Sequence, residues 1–201
     1  MGVTDVLAGD IGGTHARLGL FAAASGLGPP RIQETLLCKQ FSGLGELVQH
    51  FVQRHSPSLA GACLAVAGPI ENGRGTITNL GWPVDAAVLA KRIGLQQIHI
   101  LNDLEAVGYG LKALTAERLM TLNVGAHSAR GNLAVIAAGT GLGQCSCYFD
   151  GTDHHPVASQ GGHADFAPRT DVEMELLRHL MAKFPHVSYE RVSSGPGLLE
   201  I

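Results

Sequence analysis

The sequence predicts an α/β protein, because short apolar runs typical of buried strands alternate with amphipathic stretches of helical period. Glycine turns containing a threonine join two pairs of these strands, at 9–14 and 138–143. The chain has 201 residues, 45% of them hydrophobic, which is enough for a sizeable core in one or two domains. We predict two domains, 1–105 and 106–201, with the break near the start of the stretch 105–130.

The predicted elements begin with a β-hairpin at 5–22, followed by a strand at 34–41. Ser42 is the predicted N-cap of a helix with one apolar face. That face consists of Leu44, Leu47, Val48, Phe51 and Val52. An apolar strand at 62–67 ends at a Gly-Pro breaker, and a loop at 71–83 follows.

Asp85 is predicted to begin a short helix that ends at Gly94. The next strand, 98–101, runs directly into Asn102-Asp103 and a helix. In the second half, the second glycine turn predicts a hairpin over 133–149, and Thr170-Asp171-Val172-Glu173 predicts a helix with a capping box. The last residues begin an apolar helical pattern with no closing partner, which suggests a fragment of a longer protein.

Composition argues against several classes of function. Fourteen Lys and Arg against 17 Asp and Glu give a net charge of −3 without a basic block, so nucleic-acid binding is not expected. The sequence lacks a membrane-spanning apolar run and a signal-peptide pattern at Met1-Gly2-Val3, so we expect a cytoplasmic protein without membrane attachment. The Cys-x-Cys spacing of Cys145 and Cys147 is not usual for zinc ligands, so we predict that all four cysteines are buried, reduced thiols. They are Cys38, Cys63, Cys145 and Cys147.

The two glycine turns are candidate phosphate-binding loops, because glycines expose backbone N–H groups without an obstructing Cβ. Neither turn has the lysine of a P-loop, and Gln144 stands where a dinucleotide fingerprint needs its third glycine. Either turn alone fits an ordinary hairpin, whereas the pair suggests two half-sites for one polyphosphate. Asp10, beside the first turn, could hold Mg²⁺ through water or bond its own backbone.

Asp103 is the predicted general base, because it follows a strand end, where α/β proteins usually bind ligands. The helix N-terminus would keep it ionised, as a weak base suited to phosphoryl transfer. Asn102 or Asp103 could instead merely cap the helix. The polar loop 160–166 suits sugar hydroxyls or is a plain connection, and Glu190, next to Arg191, fits an exposed ion-paired position.

With these motifs assembled, the chain resembles the bacterial glucokinases, the hexose kinase group of the actin-like ATPase superfamily. The resemblance runs across nearly the whole chain. The segments that carry it are 9–17, Asn102-Asp103, 138–143, 161–168 and 190–198. It implies a two-domain, ribonuclease-H-like fold whose second domain is incomplete, since family chains continue well past Ile201.

The resemblance further implies ATP-dependent phosphorylation of the glucose 6-hydroxyl with Mg²⁺, in a cleft between the domains, with Asp103 taking the hydroxyl proton. The sugar-binding residues that it implies are Asn79, Asn102, Gln160, His163 and Glu190. The implied phosphate-binding residues are Gly9, Asp10, Ile11, Gly12, Gly13, Thr14, Gly139, Thr140 and Gly141, with Asp10 also the metal ligand. A homodimer is an assembly that the resemblance allows.

The chain departs from the family pattern at two positions besides its length. Gln160 stands where the family usually has glutamate, which weakens a sugar contact by about 1–2 kcal/mol. His15 replaces the more usual asparagine of the first turn. Two other hypotheses therefore stay open. One is a non-catalytic sugar sensor of the same fold, and the other is a kinase for another sugar or a small acid.

Overall fold

The structure is a computed structural model that describes residues 4–24, 26, 28–126 and 130–201. The signal-peptide expectation at positions 1–3 lies outside the described residues. The chain forms two compact units, Met1–Ala106 and Val107–Ile201. In the described part of the chain, no helix has the length and apolar character needed to cross a bilayer.

The described residues of the first unit form eight strands. In chain order they are β1 (Thr4–Ile11), β2 (His15–Ala22), β3 (Ile32–Leu37), β4 (Ser58–Val66), β5 (Ile70–Glu71), β6 (Arg74–Ile77), β7 (Trp82–Asp85) and β8 (His99–Asn102). The helices that begin in the same part of the chain are α1 (Leu44–His55), α2 (Ala86–Arg92) and α3 (Asp103–Gly110), and α3 continues past Ala106.

The main sheet of the first unit has the strand order β3-β2-β1-β4-β8. Strand β2 is antiparallel to β1 and β3, whereas β4 is parallel to β1 and β8 is parallel to β4. Val66 is paired with Ile11 on one side and with Asn102 on the other. The carboxyl ends of β1, β4 and β8 therefore meet at one edge of this sheet. Strands β5, β6 and β7 form a separate small antiparallel sheet.

Helix α1 covers the main sheet with its predicted apolar face, of which Leu47, Val48 and Phe51 are fully buried. Its predicted cap is wrong, because the N-cap is Gly43 and makes no side-chain hydrogen bond. Ser42 instead donates its N–H and its hydroxyl to the Glu46 carboxylate, at 2.8 and 2.7 Å. A carboxylate in the first turn is favoured by the helix dipole, and it is a stronger acceptor than a hydroxyl.

Other boundaries shift because of contacts that are distant in sequence. The strand predicted over 34–41 ends at Leu37, where the Cys38 N–H turns to the Thr14 carbonyl at 2.9 Å. The strand predicted over 62–67 is the end of the longer β4. The predicted cap of α2 is confirmed, since the Asp85 carboxylate accepts hydrogen bonds from two backbone N–H groups of the first turn.

The second unit contains the strands β9 (Leu133–Ala138), β10 (Leu142–Phe149) and β11 (His154–Ser159), in an antiparallel sheet of order β11-β10-β9. The predicted second hairpin, β9-β10, is confirmed. Helices α4 (Asp171–Met181) and α5 (Tyr189–Val192) follow, and α4 begins with the predicted capping box of Thr170 and Glu173. Three of the four cysteines are buried and Cys63 is partly buried, and none is in a disulfide.

Candidate active site

The first glycine turn joins β1 to β2 at the carboxyl edge of the main sheet. The Gly12 N–H donates to the His15 carbonyl at 3.0 Å, and the Thr14 carbonyl accepts the Cys38 N–H at 2.9 Å. The turn is thus held from both ends. Within the described residues, the N–H groups of Gly13 and Thr14 have no acceptor, so they are available to an anion.

Packing explains two of the glycines in this turn region. A Cβ on Gly9 would lie 2.6 Å from methyl carbons of both Leu18 and Leu64, so a larger residue at this position of β1 would displace two buried side chains. A Cβ on Gly13 would lie 2.9 Å from the Cβ of Asn79, because the turn after β6 packs directly on the first glycine turn. The predicted sugar residue Asn79 and the predicted phosphate residue Gly13 are therefore neighbours.

Ile11 and Asp10 lie at the end of β1 with opposite environments. The Ile11 side chain is fully buried, so only its backbone is accessible to a ligand, and its carbonyl already accepts the Ala67 N–H at 3.2 Å. Asp10 is exposed. No group of three or more His, Cys, Asp or Glu side chains that could hold a metal occurs among the described residues. A single carboxylate fits Mg²⁺, which keeps several waters and binds through one or two carboxylates plus substrate phosphates.

Asn102 is the residue that caps α3, one of the two possibilities that the sequence left open. Its side-chain oxygen accepts the N–H groups of Leu104 and Glu105, at 3.0 and 3.3 Å. Its side-chain nitrogen donates to the Gly68 carbonyl at 3.1 Å. Asn102 is buried, and these bonds connect the ends of β4 and β8. A hydrogen bond from the Asn102 side chain also lowers the pKa of the neighbouring Asp103 carboxyl, which partly offsets the effect of burial.

Asp103 lies beside this cap, half-buried, with Oδ1 accepting the Leu104 N–H at 2.9 Å. Burial raises its pKa above the ordinary value, the Leu104 N–H opposes that change, and the negative charge of Asp10 adds to it. The sequence predicts that the helix N-terminus keeps Asp103 a weak base, but desolvation has the larger effect on its pKa. The raised pKa makes Asp103 a better proton acceptor near neutral pH.

The second glycine turn is held by residues from a distant segment of the same unit. The Gly139 N–H donates to the Gly141 carbonyl at 2.8 Å, and the Gly139 carbonyl accepts the Gly195 N–H at 2.7 Å. The Leu142 N–H donates to Glu190 Oε2 at 2.9 Å. The predicted ion-paired, exposed position of Glu190 is therefore wrong. Its side chain is partly buried and bonded to the backbone of the hairpin.

The loop predicted to bind sugar lies against the same hairpin. Gly161 and Gly162 form a turn of 3₁₀ helix, and a Cβ on either would collide with Gln144 or Leu142 of β10. Gln160 and His163 are exposed at the two ends of this turn, where the His163 N–H donates to the Gln160 carbonyl at 2.9 Å.

The second unit therefore brings together the glycine turn, the loop and Glu190. Sequence reasoning missed the backbone groups that join them, because a peptide N–H leaves no signal in the residue type.

Two features define the class of protein. The first unit has the five-stranded sheet with a glycine turn at its carboxyl edge, and the second unit has the other glycine hairpin. Together they define a protein of the actin-like ATPase class with a ribonuclease-H-like fold. The chain belongs to the glucokinase family, since the family model described as Glucokinase matches residues 7–201.

Relatives and solved structures agree with this assignment. The chain is 41% identical over 204 residues to a glucokinase of a Nostoc species and 39% identical over 203 residues to that of Nostoc punctiforme. Each match covers 99% of this chain and 60% of the relative, so the chain spans 60% of the length of these curated relatives. The crystal structure of a glucokinase from an Antarctic psychrotroph matches with a TM-score of 0.78 at 33% identity, covering 98% of this chain and 62% of that one.

Proposed function

We propose that the protein transfers the γ-phosphoryl group of ATP to the 6-hydroxyl of glucose. One observation carries the proposal most directly. A half-buried carboxylate with a raised pKa, Asp103, lies on the sheet edge that also carries a glycine turn with two available N–H groups. Membership of the glucokinase family supports the same activity. Because the chain covers 60% of its relatives' length, the activity of the whole protein is part of the proposal.

Asp103 is the proposed general base. The 6-hydroxyl oxygen forms a bond to the γ-phosphorus, the bond to the bridging oxygen breaks, and ADP leaves. The hydroxyl proton passes to Asp103. Since phosphoryl transfer depends mainly on positioning and charge, a carboxylate that accepts the proton late is sufficient. The raised pKa strengthens this acceptor.

We propose that the two glycine turns, one in each unit, bind the phosphates of ATP. The N–H groups of Gly13 and Thr14 donate to phosphate oxygens. Gly12 contributes only to the conformation of the turn, because its N–H already donates to the His15 carbonyl. Gly139, Thr140 and Gly141 form the second proposed phosphate turn. Asp10 would hold Mg²⁺ through water, and the ion would neutralise negative charge on the phosphates.

The sugar hydroxyls are the proposed partners of a further set of polar residues. In the first unit these are Asn79 and Asn102; in the second unit they are Gln160, His163 and Glu190. Gln160 is neutral, so its contact with the sugar is weaker than that of a glutamate. We further propose that the protein acts in the cytoplasm and that a homodimer is the assembly to test by sedimentation.

The first test measures glucose-dependent ADP formation with saturating MgATP. Asp103→Asn should lower kcat by about 10²–10⁴-fold, the usual contribution of a general base, while circular dichroism and glucose binding stay unchanged. Glu105→Gln is the matched control, because it removes a carboxylate two residues along the same helix, outside the proposed site. Normal turnover by Asp103→Asn would contradict the base assignment. Glucose binding without any phosphorylation would favour the sensor.

A further inference from the structure

Glu190 contacts the second phosphate turn in a way that the proposed sugar contact does not require. Its Oε2 accepts the Leu142 N–H at 2.9 Å, although the two residues are 48 positions apart. A Cβ on Gly141 would lie 2.5 Å from the same Oε2 atom and 3.9 Å from Oε1. Gly195, five residues further along the chain, donates its N–H to the Gly139 carbonyl at 2.7 Å. One short segment, 190–195, thus holds the turn at both sides.

We propose that Glu190 is a positioning residue that links the sugar site to the second phosphate turn. The inference rests on the proposed function, in which the same carboxylate holds a sugar hydroxyl. An ionised carboxylate has two oxygens and about four acceptor sites. Oε2 is used by the Leu142 N–H, and among the described residues nothing donates to Oε1. A single side chain can therefore hold the hydroxyl and the turn at the same time.

The coupling between the sugar site and the second phosphate turn can be measured by perturbing either of them. When a sugar hydroxyl fixes the Glu190 carboxylate, the Leu142 N–H and the turn next to it are fixed as well. A change in the turn that displaces the carboxylate must therefore weaken sugar binding. By reciprocity, a phosphate bound at the turn and a sugar bound at Glu190 change each other's affinity by the same factor. Charge-assisted hydrogen bonds from backbone N–H groups are strong enough for such coupling.

Two alanine variants of the second unit separate the link from a general effect of added bulk. Gly141→Ala introduces a methyl group that collides with Glu190 Oε2, whereas a Cβ on Gly110, outside the proposed site, meets nothing within 4 Å. Neither glycine has a positive φ, so alanine is compatible with the backbone at both positions. Calorimetry of glucose binding without nucleotide should show about tenfold weaker binding for Gly141→Ala, the loss expected for one charge-assisted bond, and no change for Gly110→Ala.

Substitutions of Glu190 test the same link in turnover assays of the whole protein. Glu190→Ala should raise KM for ATP as well as KM for glucose. Glu190→Gln keeps an acceptor for the Leu142 N–H, so it should restore KM for ATP more fully than KM for glucose. An effect of Glu190→Ala on glucose alone would overturn the link and leave the sugar contact intact.

The calorimetry also distinguishes failure of the inference from failure of the proposed function. If the unsubstituted chain binds glucose and Gly141→Ala binds it equally well, the link is wrong and the proposed function stands. If the unsubstituted whole protein does not bind glucose, the proposed function and the link are both wrong.

Discussion

Replacing Gly9 with alanine should destabilise the first unit, because the sheet has no room for the added methyl group. A Cβ on Gly9 would lie 2.6 Å from a methyl carbon of Leu18 and 2.6 Å from one of Leu64, both 0% exposed. Non-bonded carbons sit about 3.5–4.0 Å apart, so each leucine would have to move by about 1 Å in a close-packed core. Overpacking of this kind costs about 1–3 kcal/mol. Alanine recovers about 0.5–1 kcal/mol of backbone entropy, which leaves a net loss of about 0–2.5 kcal/mol.

Gly61→Ala is the matched control for this substitution. Gly61 lies on β4, paired with Val6 of β1, and a Cβ there meets nothing within 4 Å. It should be neutral or stabilise the unit by about 0.4–1 kcal/mol. Urea unfolding, followed by circular dichroism, would measure both variants, and the midpoint of Gly9→Ala should fall without a change of slope.

Equal midpoints for Gly9→Ala and Gly61→Ala would refute the packing argument. Gly9 would then need another reason to be glycine, such as the close approach of a phosphate to its backbone. The comparison thus separates two explanations of a residue that the sequence assigns to phosphate binding.

Two further predictions concern the pKa of Asp103 and the capping box of α4. Carbon-13 titration of the Asp103 carboxyl should give a midpoint above 3.8, and Asp10→Asn should lower that midpoint because it removes a neighbouring negative charge. The folded state binds this proton more tightly than the unfolded state. The stability that Asp103 contributes is therefore present below the unfolded pKa and is lost as pH rises through the folded pKa. A titration midpoint at or below 3.8 would contradict the raised pKa of Asp103. Thr170→Ala should lower the free energy of unfolding by about 1 kcal/mol, because its Oγ1 accepts the Glu173 N–H. Thr152→Ala, in an exposed loop, should change it by less than about 0.5 kcal/mol, and equal losses would argue against the cap.

Local chemistry made several elements predictable from the sequence. The capping box of Thr170 and Glu173 needs only two residues of one helical turn. The cap of α2 by Asp85 is equally local. The two hairpins follow from apolar strands flanking glycine turns, and both are present. The expected N-cap at Ser42 failed although it too is local, because Glu46 competes for the serine.

The site was predictable as a set of residue types but not as an arrangement. The motifs placed Asp103 after a strand and Glu190 near a glycine-rich segment. They did not show that burial would raise the pKa of Asp103, because burial depends on the elements packed around it. Nor did they show that Glu190 bonds the backbone of β10, since the partner is a peptide N–H present at nearly every position.

The sequence by itself determined the α/β class, the two glycine hairpins and the residues with chemistry to offer, because periodicity, turn residues and caps act within a few positions of the chain. Only the tertiary structure decided which groups meet. Asn102 reaches Gly68 across 34 residues and Glu190 reaches Leu142 across 48. Such contacts form where strands and turns pack, and the separation along the chain places almost no constraint on them. Gly9 and Gly141 are visible in the sequence as glycines, but only the packing around them shows which atoms a larger side chain would meet.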